Sequence, residues 1–535
     1  MRLIRRLFRR PQLASLISPP DASRVLKWCI FATGLAGIVA EYVLSTLATY
    51  LLGNAILQWT MVMSLMLFAM GLGSRLSRHI DRSVLDAFIL VECGLTVLCA
   101  GAPVLAYGLA PWTAHLDLII YALGMGVGLL IGLEIPLATR ANETYEALRA
   151  NIAGVMENDY YGALLGGVLF AFLGLPFLGL AWTPMALGTV NWLVAGIFLW
   201  KFGNLLDHPG RARLAFLAAG MALVLMATHV EQVVFYGEQS RYKDPIVHAE
   251  QTQYQKIVLT QNQQHYWLFL NGQLQFSTFD EKRYHEPLVH PALLTAAAAR
   301  DSLRVLILGG GDGLAVREVL RHPQVAEIVL VDLDPAMTRL AREHPVLRAV
   351  NQEALHNPRV RLEHGDAARF LKNTEALWDV ILVDLPDPDS MDLMSCYDVS
   401  FYRLALARLA PQGVLTTQAT SPIFSPDAFR CIVKTMRAAG LAVLPYRNQV
   451  PSLGEWGFVL AMDAAQTDEP SLKRRVLSQD YDALPTEILN RDAFISMTHL
   501  DRQMLAPDAM AGIEVNDRLK PVLHRYYSRG AWMMY

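Results

Sequence analysis

Val305–Gly313 reads VLILGGGDG, a short apolar run leading straight into Gly309, Gly310, Gly311, Asp312 and Gly313. Such a strand followed by a glycine turn lets backbone approach a nucleotide closely. The carboxylate in this turn argues against the commonest occupant, because Asp312 would repel a pyrophosphate. The ligand expected around Gly309, Gly311 and Asp312 is therefore a nucleoside carrying positive charge. A sulfonium nucleoside with an amino group fits.

Outward from that stretch, strand and helix alternate from Arg304 to about Val443, the pattern of a mostly parallel sheet with helices on both faces. Asp332, in VLVDLD, ends the next strand 23 positions after Gly309, where an acidic residue accepts ribose hydroxyls. Asp366, in LEHGDAARF, follows the third strand and is placed to receive the exocyclic amine of adenine. Each aspartate would also suit a helix N-cap. Recurrence at successive strand ends favours the ligand reading. The fourth strand delivers Asp384, Asp387 and Asp389 in VDLPDPDS, and carboxylates so close together are costly unless something cationic lies between them. The alternative is a solvated acidic turn. Upstream, DEKRYHE (Asp280 to Glu286) opens a helix, and Tyr254 to Phe276 alternates apolar and polar residues as a small antiparallel sheet does.

The first half is of another kind. The chain has 535 residues, 53% of them hydrophobic, and the excess lies before about residue 230. Seven stretches, near 26–52, 55–74, 84–108, 116–138, 159–180, 183–202 and 213–229, approach the roughly 20 apolar residues needed to cross a bilayer. Gly124, Gly128 and Gly132 repeat every four residues, a spacing that lets helix backbones touch. Arg2, Arg5, Arg6, Arg9 and Arg10 form a basic N-terminus, and further basic residues cluster at 75–82, at Arg140 and Arg149, and at 201–213. The positive-inside rule puts all four groups in the cytoplasm. Seven crossings would then leave the C-terminal half outside, so the seventh segment, the shortest and weakest, is expected to be interfacial or re-entrant and the C-terminal half cytosolic, the alternative being a periplasmic C-terminal half. Glu41, Glu92 and Glu134 lie in or near the apolar segments, where a carboxylate is expensive; helix packing is the favoured reading and a transport route the rival. Glu157 and Asp159 are weaker candidates. The five cysteines are scattered without a CxxC pair, and no metal site is expected.

From about Tyr254 to Phe458 the motifs YQ, LNGQLQ, DEKRYHE, GGGDG, the strand-end Asp332, GDA and DLPDP resemble, in order and approximate spacing, those of the polyamine aminopropyltransferases. The hydrophobic N-terminus resembles the membrane-integral bacterial branch. The resemblance implies transfer of an aminopropyl group from decarboxylated S-adenosylmethionine to a diamine, usually putrescine, giving spermidine and methylthioadenosine. It implies that Asp312 holds the donor's ammonium, Asp332 the ribose, and Asp366 with Ala367 the adenine. Gln255 and His285 would also line the donor site, Asp384 would be the catalytic aspartate held by Tyr284, and Asp387 and Glu286 would meet the diamine. Two departures stand out. The family's late PTYP-like tyrosine is absent from VPSLGEWGF, where Trp456 or Glu455 is the expected substitute, and the usual DSSDP is DLPDP.

The expected architecture is a multi-spanning α-helical membrane domain, a small antiparallel β domain and an α/β Rossmann-like domain. Its divisions are a basic segment at 1–25, a transmembrane domain at 26–230, a β domain at 231–283, the Rossmann-like domain at 284–465 and a helical extension at 466–535. The expected setting is the inner membrane, with a lipid bilayer and a small polyamine as partners, a homodimer as a candidate assembly and no nucleic acid. Rival functions are an S-adenosylmethionine-dependent methyltransferase and a polyamine transporter or sensor.

Overall fold

The computed structural model describes residues 19–532 apart from positions 54, 82, 114 and 390–392, so the N-terminal arginines lie outside the described residues. The chain forms two compact units, Met1–Asp244 and Pro245–Tyr535.

The first unit is helical. Its helices are α1 (Pro19–Leu52), α2 (Ala55–Leu76), α3 (Val84–Leu109), α4 (Leu116–Asn142), α5 (Leu148–Leu169), α6 (Gly179–Phe202) and α7 (Pro209–Gln239). By length and composition six stretches among the described residues suffice to cross a membrane, one being the 58-residue run 148–205. That run is not one rod. Residues nine apart on a straight helix stand about 13 Å apart along its axis, yet the Thr183 hydroxyl donates to the Gly174 carbonyl at 2.9 Å. The chain therefore doubles back at Gly179, whose φ of +62° suits glycine. Two of the helices expected from hydropathy are thus joined by a tight turn.

The glycine stripe on α4 does what its spacing implies. A Cβ at Gly128 would fall 2.6 Å from the Met66 carbonyl oxygen, and one at Gly132 2.1 Å from that of Met70, so α2 and α4 meet backbone to backbone. The seventh helix differs from expectation: it has 31 residues and is neither short nor confined to 213–229. Its ends carry Arg211, Arg213, Glu231 and Glu238, which lower local hydropathy without breaking the helix. The boundary between the two units falls at 244, within the stretch 230–248 where charge returns.

The second unit begins with a four-stranded antiparallel sheet, β1 (Ile246–Gln251), β2 (Lys256–Asn262), β3 (His265–Leu270) and β4 (Gln273–Ser277), in sequential order. Next come α8 (Lys282–Ala297), β5 (Leu303–Gly309), α9 (Leu314–Val319), β6 (Val325–Asp332), α10 (Pro335–Glu343), α11 (Pro345–Val350) and β7 (Val360–His364). They are followed by α12 (Ala367–Asn373), β8 (Trp378–Asp384), α13 (Val399–Leu406), β9 (Leu409–Gln418), α14 (Pro426–Ala438), β10 (Leu441–Val450) and β11 (Gly454–Asp463). The extension adds four short helices, α15 (Glu469–Leu477), α16 (Arg491–Met497), α17 (Pro507–Ala511) and α18 (Leu523–Ser528).

The large sheet runs β10-β11-β9-β8-β5-β6-β7. Strands β5 to β9 are parallel and the β10–β11 hairpin is antiparallel. Strand order reverses between β5 and β8, and there Gly309 pairs with Asp384. Open parallel sheets bind ligands at such a switch point, beyond the carboxyl ends of their strands.

Helix α8 is held to the sheet by a device its sequence permits. Pro287 and Pro291 lack N–H groups, which orphans the carbonyls of Arg283 and Pro287 four residues earlier. Both are recovered from β10: Asn448 donates to the Arg283 carbonyl at 2.6 Å and the Tyr446 hydroxyl to the Pro287 carbonyl at 2.7 Å. This fixes the helix that carries Tyr284 and His285.

Candidate active site

The glycine turn is built for close approach. Gly309, Gly310 and Gly313 have φ of +83°, +67° and +81°, and a Cβ at Gly309 would fall 2.1 Å from the Asp384 carbonyl oxygen. That carbonyl accepts the Gly310 N–H at 2.9 Å, locking the turn to the end of β8. A Cβ at Gly310 would lie 3.0 Å from Asp384 Oδ2 and one at Gly311 2.5 Å from Asp332 Oδ2, so the glycines leave room for two carboxylates.

Asp384 is the focus. Its Oδ1 accepts the Tyr284 hydroxyl at 2.7 Å. Its Oδ2 is buried with no hydrogen-bond partner among the described residues. Burial raises the Asp384 pKa, with His285 and the Tyr284 hydroxyl opposing it. A buried acceptor without a partner costs about 1–3 kcal/mol, and this one faces the glycine turn, where a donor or a proton would satisfy it.

Around it lie other residues singled out from the sequence. Asp312 accepts the Leu314 N–H at 2.8 Å; burial pushes it up to about 6, with His285 opposing. Asp332 accepts the N–H groups of Gly311 at 3.0 Å and Asp334 at 2.8 Å, and burial pushes it up to about 6. Gln255, in the turn before β2, donates to Asp334 at 3.1 Å, which brings the small sheet to the end of β6. His285 lies buried with Nδ1 3.0 Å from Glu281 Oε2. Burial works against its charge, but the Glu281 carboxylate overrides this and the ring's pKa rises to about 9. Glu281 is itself gripped by both terminal nitrogens of Arg317 at 2.8 Å. Asp366 follows the helix-cap reading: exposed, it accepts the Arg369 N–H at 2.7 Å at the start of α12, beside the buried Ala367.

Asp387 sits three residues beyond Asp384 within a ring of neutral donors. Gln418 donates to its Oδ1 at 3.2 Å, Thr420 to its Oδ2 at 3.2 Å, and the Tyr527 hydroxyl also reaches it. Burial pushes its pKa up to about 7, and Asp389 nearby is pushed up to about 6 by the same cause. Thr420 has φ of +54°, an expensive conformation for a β-branched residue and a kind of strain that concentrates at functional sites.

One expectation changes. Glu286 does not join Tyr284, because two positions along a helix is a rotation of about 200°. Its buried carboxylate instead accepts the N–H groups of Glu487, Ile488 and Leu489, each at 2.8 Å, and so fastens the C-terminal extension. Of the substitutes expected for the hydroxyl missing from VPSLGEWGF, Glu455 pairs with Arg447, and the Trp456 indole nitrogen is buried without a partner among the described residues. The Tyr527 hydroxyl on α18, 140 positions after Asp387, also lies near that carboxylate. Gln418, Thr420 and Tyr527 were not anticipated. For Gln418 the signal was available, since it is the last residue of the strand beside β8.

Residues 281–473 match the spermine/spermidine synthase domain. The chain is 42% identical to polyamine aminopropyltransferase 2 of Aquifex aeolicus over 95% of its own length and 99% of that protein's. It is 35% identical to the polyamine aminopropyltransferase of Oceanobacillus iheyensis over 96% and 98% of the two lengths. A crystal structure of spermidine synthase with the transition-state analogue AdoDATO covers 50% of the chain and 88% of its own, at 21% identity and a TM-score of 0.44.

Proposed function

The chain belongs to the polyamine aminopropyltransferase family, and from that premise we propose that it transfers the aminopropyl group of decarboxylated S-adenosylmethionine to putrescine, giving spermidine and methylthioadenosine. The observation that carries this reading is the unpartnered Oδ2 of Asp384, facing the glycine turn three residues before a second carboxylate, Asp387. The reading assigns the donor to Asp312, Asp332, Gln255, His285, Asp366 and Ala367 and to the turn at Gly309 and Gly311. Catalysis falls to Asp384 and Tyr284, and the far ammonium of the acceptor to Asp387.

The acceptor amine must be neutral to attack, yet an amine of ordinary pKa near 10 is protonated at pH 7. Tyr284 occupies Oδ1 of Asp384 and leaves Oδ2 to accept that proton. The nitrogen then forms a bond to the carbon beside the sulfonium, the carbon–sulfur bond breaks, and its electron pair returns to sulfur. Asp387, able to ionise near neutral pH, pairs with the distal ammonium and sets its distance from the reacting end.

The helical unit is assigned to the inner membrane. Supporting this are its long apolar helices and the outward apolar faces of α2 and α7, with Leu67, Phe68, Leu214 and Met221 exposed. The catalytic unit is assigned to the cytosol with its donor, which requires an even number of crossings.

Comparing putrescine with butylamine, which lacks the distal ammonium, tests the acceptor assignment. Putrescine should give a kcat/KM higher by about 10² or more in the wild type, as expected for a charge-assisted contact of about 3 kcal/mol, and Asp387→Asn should erase the preference. Equal use of both amines by the wild type would refute it.

A further inference from the structure

The second unit holds a cleft of about 420 Å³ that none of the residues assigned to the donor or the acceptor borders. Its size falls in the range usual for small-molecule sites, roughly 300–1,000 Å³. Arg283 on α8, Arg447 on β10 and Glu455 on β11 line it, with Ile488, Ala493 and Met497 of the C-terminal extension as its apolar part. The walls are tied to one another. Glu286 on α8 accepts the N–H groups of Glu487 and Ile488, each at 2.8 Å, and Asn448 of the edge strand β10 donates to the Arg283 carbonyl at 2.6 Å.

The charges around this cleft do not close. Arg447 pairs with Glu455 and lies 3.6 Å from Asp501, and Lys282 pairs with Glu487. Arg283 is left over. It is half-buried, only its backbone is hydrogen-bonded, and its guanidinium has no partner among the described residues. Two further atoms are unmatched: Arg447 Nε, a donor, and Glu455 Oε1, an acceptor, are both buried with no hydrogen-bond partner among the described residues. Such atoms are costly until a partner arrives.

These three groups select the chemistry of what fits. A bare anion such as phosphate would suit Arg283 and Arg447 Nε but would also face the Glu455 carboxylate, and a bare amine would suit Glu455 and face Arg283. A molecule with a carboxylate and an ammonium on one carbon satisfies all three, the carboxylate matching the donors of a guanidinium.

We propose that the cleft binds an α-amino acid with an apolar side chain. Its carboxylate meets Arg283 and Arg447 Nε, its ammonium meets Glu455 Oε1, and its side chain lies against Ile488, Ala493 and Met497.

Norleucine is the probe, titrated by calorimetry into full-length protein in detergent, with putrescine in excess to keep amines off the acceptor site. Norleucine should bind. Hexanoate, which lacks the ammonium, and norleucinamide, which lacks the carboxylate, should bind about tenfold more weakly or worse, the usual loss for one charge-assisted contact. Arg283→Gln removes a guanidinium that has no partner in the protein, so it should keep the wild-type melting temperature and lose norleucine affinity by a similar factor. Glu455→Gln should weaken norleucine and spare hexanoate. Hexanoate binding as tightly as norleucine would overturn the zwitterion assignment. Unchanged norleucine affinity in Arg283→Gln, or no binding of any of the three compounds, would overturn the site.

Discussion

Asp384 has one oxygen committed to Tyr284 and one buried without a partner, which is the arrangement a proton acceptor needs before its substrate arrives. Asp384→Asn should lower turnover by about 10²-fold or more, the usual range for losing a general base, with donor affinity kept; near-normal turnover would remove it from the chemistry. Asp312 faces a different demand, because the decarboxylated donor presents an ammonium without the neighbouring carboxylate of its parent. Asp312→Asn should weaken binding of the decarboxylated nucleoside more than that of S-adenosylmethionine, and equal losses by calorimetry would show that Asp312 shapes the turn without reading charge. The Tyr527 hydroxyl near Asp387 favours its ionised form. Tyr527→Phe should raise KM for putrescine several-fold and move the acid limb of kcat/KM upward from about 7, while kcat at saturation and high pH stays near wild type. An unchanged pH profile would leave Tyr527 a packing residue.

At the scale of elements, the reaction site depends on the turn between β5 and α9 and on the helix α8 that faces it. Gly309→Ala would pay about 1–2 kcal/mol for its left-handed backbone and would also push on the Asp384 carbonyl 2.1 Å away. It should therefore cost activity even where the protein still folds. Helix α8 is anchored through His285, Glu281 and Arg317. A histidine raised from 6.5 to about 9 on folding contributes stability that is complete below pH 6.5 and is lost as pH rises through 9. The melting temperature of the wild type should exceed that of Glu281→Gln most between pH 5 and 6.5, and the gap should narrow towards pH 10; a constant gap would assign the loss to Arg317 alone. These elements were legible because a strand, a glycine turn and strand-end aspartates are local patterns. What local pattern does not carry is the direction of a side chain. Glu286 shares a polar cluster with Tyr284 but points to the opposite side of α8.

Across the whole molecule, the two halves were distinguishable from composition alone, and the division between them falls where charge returns at the end of α7. Tyr527 was beyond reach. It meets Asp387 only after the extension has wrapped back along a path fixed by Glu286 and three backbone N–H groups, and no spacing in the sequence encodes that contact. Topology can be measured directly: a C-terminal fluorescent protein should be bright and a C-terminal alkaline phosphatase inactive if the catalytic unit faces the cytosol, and the reverse pattern would put it outside with all seven helices crossing. The most direct test of the account supplies full-length purified protein with decarboxylated S-adenosylmethionine or S-adenosylmethionine, together with putrescine, and identifies the products by mass. The expected result is spermidine and methylthioadenosine in equal amounts from the decarboxylated donor, with no methylated amine from its parent. S-adenosylhomocysteine with a methylated amine, or no amine product from either donor, would contradict it.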